Sequence, residues 1–348
     1  MSVAGTCSRT GPTIFSDSDC GCAAIDHDFS FRVTLPDSPS ATATGLECND
    51  AVVVPLGLKT SFDQDGFVAI PNVLDESTVK ALNERLECVL LQGDYNRNQP
   101  PDKVPKISAT TVSMSTPHKR VYQIINIHKC DCLFHQLATS ATLGRVVAQL
   151  AGWTSIRLAQ DQVWAKPPGA APLVFHRDAP YFQFDDPRLV TVWIALDTMH
   201  ATLGPLEYVP GSHNWDSSSA SSGSMRQFYS NKNSSYDTMM RAAAEREGLK
   251  DINVVSMAGL PAGSITIHHG TTWHGSGKNH SPTQPRRGLG LHFVPGPVHF
   301  TMQAKKSKLY SKYVPDHCTS DEDLQQIPLD ANEFPITWQQ YTLLEGSE

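Results

Sequence analysis

The sequence predicts a mainly β domain, a sandwich or barrel with helices packed on its flanks. Three observations carry that expectation. From about residue 155 the chain runs in short β-branched and aromatic segments separated by turn residues. Ahead of them lie two stretches with apolar residues at helical spacing. The 348 residues, 40% hydrophobic and 18% charged, are enough for one large decorated β domain or for two smaller domains.

Residues 1–57 are rich in Ser, Thr, Asp, Gly and Pro without sustained periodicity, and are expected to form a poorly ordered tail. Order is expected from there, with residues 58–348 as a single domain. "GFVAIPNVL" reads as a short strand and a turn. Asp75 reads as an N-cap for a helix that carries Val79, Leu82, Leu86 and Leu90 on one face and stops at Gly93. "YNRNQPPDKVPK" is Pro-rich and irregular, and "RVYQIINI" (120–127) is a strand. "CLFHQLATSATLGRVVAQLAG" (132–152) reads as one amphipathic helix closed by Gly152. Strands follow in "SIRLAQDQVWAK", "LVTVWIALD", "PLEYVPGS", "GSITIHH" and "GLGLHFVP". One interruption, residues 214–251, is Ser-rich and then helical; its length suits a lid or binding loop, with Met239 and Met240 as its packing residues.

The formal net charge of −7 argues against general affinity for nucleic acid or anionic membrane. The start has no secretory apolar segment, and no run reaches the roughly 18 apolar residues of a membrane span. The end, "LLEGSE", is not a peroxisomal address, so a cytoplasmic location is expected ahead of a peroxisomal one. The eight cysteines are expected to be reduced thiols. Cys20/Cys22 and Cys130/Cys132 admit a four-thiolate zinc site, but their Cys-x-Cys spacing is not the usual one and they are read as incidental.

The chemistry gathers in "PLVFHRDAPYF" (172–182). On a strand, residues i and i+2 share a face, so His176 and Asp178 would project together. The pair could be a salt bridge, half of a catalytic pair or two ligands of a metal. Two histidines and one carboxylate form a facial triad suited to Fe(II). "ITIHHGTTWHGSGKNHSP" offers His268, His269, His274 and His280 for the second histidine, and spacing alone does not choose among them.

Read together and in order, "FDQDGFVAIPNVLD", "DQVWAKPPG", "FHRDAPYF", "VTVWIALD", "GPLEYVPGSH" and "WHGSGKNHSPTQPRRGLGLHF" resemble the phytanoyl-CoA dioxygenase (PhyH) family of Fe(II)- and 2-oxoglutarate-dependent oxygenases. The resemblance runs from about residue 62 to 297. It implies a double-stranded β-helix core, a jelly roll of the cupin kind. It implies His176 and Asp178 as the first two iron ligands and His274 as the distal one. It implies Arg286 as the grip on the far carboxylate of 2-oxoglutarate, with Arg287 as runner-up because the preceding loop is about one residue longer than the family's. Ser276 would add a hydroxyl, and Trp193 would line the cosubstrate pocket. Gln162, Trp164 and Lys166 share one strand face, and Gln162 and Lys166 are weaker candidates for contacting cosubstrate or substrate. His268 and His269 are read as packing or supporting groups, and His213 as a turn stabiliser.

The implied reaction consumes dioxygen, decarboxylates 2-oxoglutarate to succinate and hydroxylates a small-molecule or acyl substrate. Retention of the carboxylate ligand Asp178 favours oxygenation over halogenation. The protein is expected to be a monomer or weak homodimer. Two alternatives keep the fold: a non-catalytic iron or 2-oxoglutarate sensor, and a zinc hydrolase, which would have no need of Arg286 and Ser276.

Overall fold

The computed structural model describes residues 53–87, 106–111, 120–216 and 235–340. Most of the expected tail, Leu90 and Gly93, residues 217–234 of the expected lid, and the Cys20/Cys22 pair lie outside them. Helix α1 (Leu56–Asp65) opens the described chain and was not anticipated. It closes on Gly66 at φ 79°, whose N–H bonds Phe62. Strand β1 (Phe67–Ile70) leads into helix α2 (Glu76–Glu87), where Asp75 accepts from Thr78 N–H at 2.7 Å, and Val79, Leu82 and Leu86 are buried. Strands β2 (Lys106–Thr111) and β3 (Arg120–Ile125) follow.

The single helix expected over 132–152 is two helices, α3 (Cys132–Ala138) and α4 (Ala141–Ala151). The break has a local cause. The Thr139 hydroxyl bonds back to His135 O at 2.7 Å, and Ser140 leaves helical geometry to cap Leu143 N–H. Strand β4 (Ser155–Lys166) spans its predicted segment, followed by β5 (Leu173–His176), β6 (Val190–Ala195) and β7 (Leu206–Tyr208). Helix α5 (Thr238–Arg246) buries Met240, Ala243 and Ala244, and Met240 packs with Phe175, Val209 and Trp273. The remaining elements are β8 (Val255–Ser256), β9 (Ile265–His269), β10 (His274–Ser276), β11 (Arg286–Pro295), α6 (Asp321–Gln325) and β12 (Ile336–Gln339).

The strands form two antiparallel sheets, the expected jelly roll. The large sheet runs β1-β9-β6-β11-β4-β3-β2, with β12 also on β4; the small one runs β5-β10-β7-β8. Alternation assigns the large sheet's faces. Val190, Val192 and Ile194 of β6, Ile265 and Ile267 of β9, and Leu289, Leu291 and Phe293 of β11 join the core with Leu82, Leu86, Val146, Val147 and Leu150 of the helices. Thr191, Trp193, Thr266, His268, Gly288, Gly290 and His292 alternate with them and so take the other face. The chain beyond residue 297 builds a second core, in which Phe300, Tyr310, Val314 and Phe334 pack with Phe184 and Leu189. Cys130, Cys132 and Cys318 are free thiols. Among the described residues, no helix is long and apolar enough to cross a membrane.

Candidate active site

His176 closes β5 and lies directly opposite His274 on β10. Each imidazole is fixed by a carbonyl two residues back: His176 Nδ1 lies 2.8 Å from Val174 O, and His274 Nδ1 lies 3.0 Å from Thr272 O. A carbonyl only accepts, so both Nδ1 atoms carry the proton and both Nε2 atoms present a lone pair. The two Nε2 atoms stand 3.5 and 3.6 Å from the same oxygen, Asp178 Oδ1.

Asp178 does not reach that point by strand parity. The strand stops at His176, and Asp178 has helical angles (φ −78°, ψ −42°) at the start of a 3-10 turn over Ala179–Tyr181. A 2.8 Å bond from Ala179 N–H to Gly270 O ties this turn to the loop before β10. The turn, rather than the pleat, carries the carboxylate to the histidines.

Burial alone would raise the Asp178 pKa, but the imidazoles of His274, His176, His268 and His292 hold it well below the ordinary carboxylate range. Burial pushes His274 well below the usual imidazole value, with His176 adding to the shift and Asp178 opposing it. Asp178 is therefore ionised and His274 neutral, the states in which these groups ligate metal. Three acceptor atoms, all within 4.8 Å of one another, face one point with no hydrogen between them. Such a set repels itself unless a cation lies at its centre, so the residues fit a metal ion.

On the large sheet, against Ser276 of β10, lies a cationic pocket. Arg286 on β11 pairs with Lys166 on β4, and both side chains are fully buried. Lys166 Nζ donates to Ser276 Oγ at 3.1 Å and to Gly277 O, and Arg286 Nη2 donates to Ser276 Oγ at 3.3 Å. The guanidinium sits 5.7 Å from the Trp193 ring centroid, and Arg286 Nε has no hydrogen-bond partner among the described residues. No carboxylate of the described residues comes within ion-pair distance of either cation. Burial lowers Arg286 to about 10, opposed by Asp197. Burial and then Arg286 hold Lys166 well below the usual lysine range, opposed by Glu207. Gly288 makes room here, since a Cβ at that position would overlap the Trp193 indole.

Arg287 points the other way. It is bound to Asp197 at 2.6 Å and to Glu87 at 3.3 Å, whereas Arg286 has no carboxylate partner among the described residues. Gln162, on the same strand as Lys166, accepts at its amide oxygen from Gln123 at 2.8 Å. His269 bonds Thr271, His280 is exposed, and His213 donates to Asp63 O at the end of α1. His268 belongs to the site: its Nε2 lies 3.1 Å from Asp178 Oδ2. Sequence reasoning missed Thr191, His292 and Tyr208, which join His268 around Asp178. A signal existed in the polar residues alternating with valine and isoleucine along β6 and β9.

Known proteins are similar to this chain in sequence or in fold. A probable alpha-ketoglutarate-dependent hypophosphite dioxygenase of Stutzerimonas stutzeri is 30% identical over 135 residues, 38% of this chain and 43% of that protein. An ectoine dioxygenase of Streptomyces avermitilis is 26% identical over 159 residues, 44% of this chain and 50% of that one. The chain thus spans about half or less of these curated relatives. The fold is similar to the crystal structure of SnoK, a non-heme alpha-ketoglutarate-dependent carbocyclase from nogalamycin biosynthesis. The TM-score is 0.60 at 18% identity, over 81% of this chain and 96% of that one. The pattern of the phytanoyl-CoA dioxygenase family matches residues 62–288, well over half of the sequence, and the chain belongs to that family.

Proposed function

We propose that this protein is an Fe(II)- and 2-oxoglutarate-dependent dioxygenase that hydroxylates a small-molecule or acyl substrate. One observation carries the reading: three acceptor atoms, His176 Nε2, Asp178 Oδ1 and His274 Nε2, face a common point, and β10 joins that point to a buried guanidinium with no acidic partner among the described residues. These three residues would hold the iron. When bound, iron supplies the means to activate dioxygen for attack on a C–H bond while 2-oxoglutarate is decarboxylated to succinate.

The chain's own residues supply the positioning. His274 and Ser276 are two residues apart on β10, about 7 Å along a strand. A short dicarboxylate reaching from the triad to Ser276 would set its far carboxylate between Arg286 and Lys166. There a planar guanidinium gives bidentate hydrogen bonds and an ammonium adds a second charge. The Trp193 ring lies beside the guanidinium, its centroid 5.7 Å away. Both cations are shielded from water, so their attraction for that carboxylate is little screened.

The test is succinate formation from 2-oxoglutarate with Fe(II) under air, first without and then with a panel of small-molecule and acyl substrates. Wild-type protein should release succinate, and His176→Ala should abolish it. Iron binding without succinate across the panel would instead mark a non-catalytic binding protein.

A further inference from the structure

The second oxygen of Asp178 faces a row of polar residues that the proposed chemistry does not use. We infer that Thr191 and His268 are positioning residues that commit Asp178 to the metal through Oδ1 alone, an inference that rests on the iron-site reading above. Thr191 is the centre of the row. On the large sheet it lies directly opposite His268 of β9 on one side and His292 of β11 on the other. All three are buried, behind the carboxylate.

Proton counting gives every link in this row one direction. Asp178 Oδ2 lies 2.7 Å from Thr191 Oγ1 and 3.1 Å from His268 Nε2. A carboxylate only accepts, so both neighbours donate. Thr191 has one proton and gives it to Asp178. At its 2.9 Å contact with His292 Nδ1, Thr191 is therefore the acceptor and His292 the donor. A neutral His268 with its proton on Nε2 accepts at Nδ1, where the Tyr208 hydroxyl lies at 3.2 Å. Tyr208 spends its proton there, so Thr266 donates to Tyr208 across their 2.8 Å contact. Two chains thus run inward, Thr266 to Tyr208 to His268 on one side and His292 to Thr191 on the other. Both end on Oδ2.

The two oxygens of Asp178 are left with different work. Oδ2 has two lone pairs and two donors in place, which leaves it nothing to offer a metal. Oδ1 faces the lone pairs of His176 and His274. Without the row, the carboxylate is free to turn about its last torsion and grip an ion with both oxygens, which uses up a coordination position. His292 lies 3.7 Å from Oδ2, too far for a hydrogen bond, and acts through Thr191.

The experiment is Co(II) titration of the full chain without cosubstrate, read as affinity and as the Co(II) visible spectrum, whose intensity follows coordination number. Thr191→Val and His268→Phe each remove one donor, while Thr191→Ser and His268→Gln keep it. The donor-less variants should bind Co(II) about 10–100-fold more weakly with an altered spectrum, and the donor-keeping variants should stay within about threefold of wild type. Tyr208→Phe, one link back, should fall between them. Wild-type affinity and spectrum in both Thr191→Val and His268→Phe would overturn the inference while leaving the iron-site reading intact. A wild-type protein with no Co(II) site sensitive to His176→Ala would overturn both.

Discussion

The two faces of the large sheet are made by the same strands yet follow opposite rules. Toward the helices, β6, β9 and β11 present aliphatic and aromatic side chains such as Val192, Ile267 and Leu291, and apolar side chains of similar volume would serve there. Toward the small sheet, Thr191, Thr266, His268 and His292 are buried polar groups whose hydrogen bonds are specified atom by atom. Arg286 and Arg287 put the contrast into two adjacent residues. One is buried against a serine and an indole, and the other is tied to two carboxylates. One face stabilises the fold, and the other holds an arrangement that a hydrophobic core would not tolerate.

Substitutions can break this comparison, and the arginines should give the largest effect. Removing one member of a buried charge pair costs about 3–5 kcal/mol. Arg286→Gln should therefore raise the KM for 2-oxoglutarate by a hundredfold or more, as about 1.4 kcal/mol corresponds to tenfold. Arg287→Gln should leave that KM within about twofold of wild type, since Arg287 is bound to Asp197 and Glu87 away from the pocket and its loss would bear on stability instead. Equal KM values in the two variants would erase the distinction between the faces. Next comes the helix side: Leu291→Ala should lower unfolding free energy by about 2–5 kcal/mol in urea titration, with Co(II) affinity of the folded protein unchanged. A matching loss of metal affinity would show that the faces are mechanically coupled. The smallest effect should come from Gly288→Ala. Its new methyl meets the Trp193 ring, and overpacking of that kind costs about 1–3 kcal/mol. The change should appear mainly in the KM for 2-oxoglutarate, with little change in metal affinity.

Much of this was legible in the sequence because it is local. The twelve residues of β4 were bounded by their own alternation and turns, and His176 and Asp178 stood in one short motif, while the choice of His274 among four histidines needed the family resemblance. What was not legible depends on partners distant along the chain. Nothing near Thr191 says that β9 and β11 will flank β6, so the row through His268 and His292 appears only once the register is known. Strand parity brought His176 and Asp178 together for the wrong reason, because the strand ends between them. The helix expected over 132–152 failed at Thr139 and Ser140, whose hydroxyls compete for the backbone more strongly than an apolar period reveals. Arg286 and Arg287 were separable in principle by parity along β11, but only with one neighbour's orientation already fixed.

The pairing of Lys166 with Arg286 has a consequence for proton traffic. Burial and the neighbouring guanidinium draw Lys166 toward its uncharged form, and an anion placed between the two would draw it back. Capture of a dicarboxylate in this pocket is then also capture of a hydrogen ion wherever the solution is alkaline enough for Lys166 to have lost one. Such a pocket would grip a dicarboxylate most firmly below the depressed lysine value and loosen as pH rises through it, the proton then serving as a silent co-ligand.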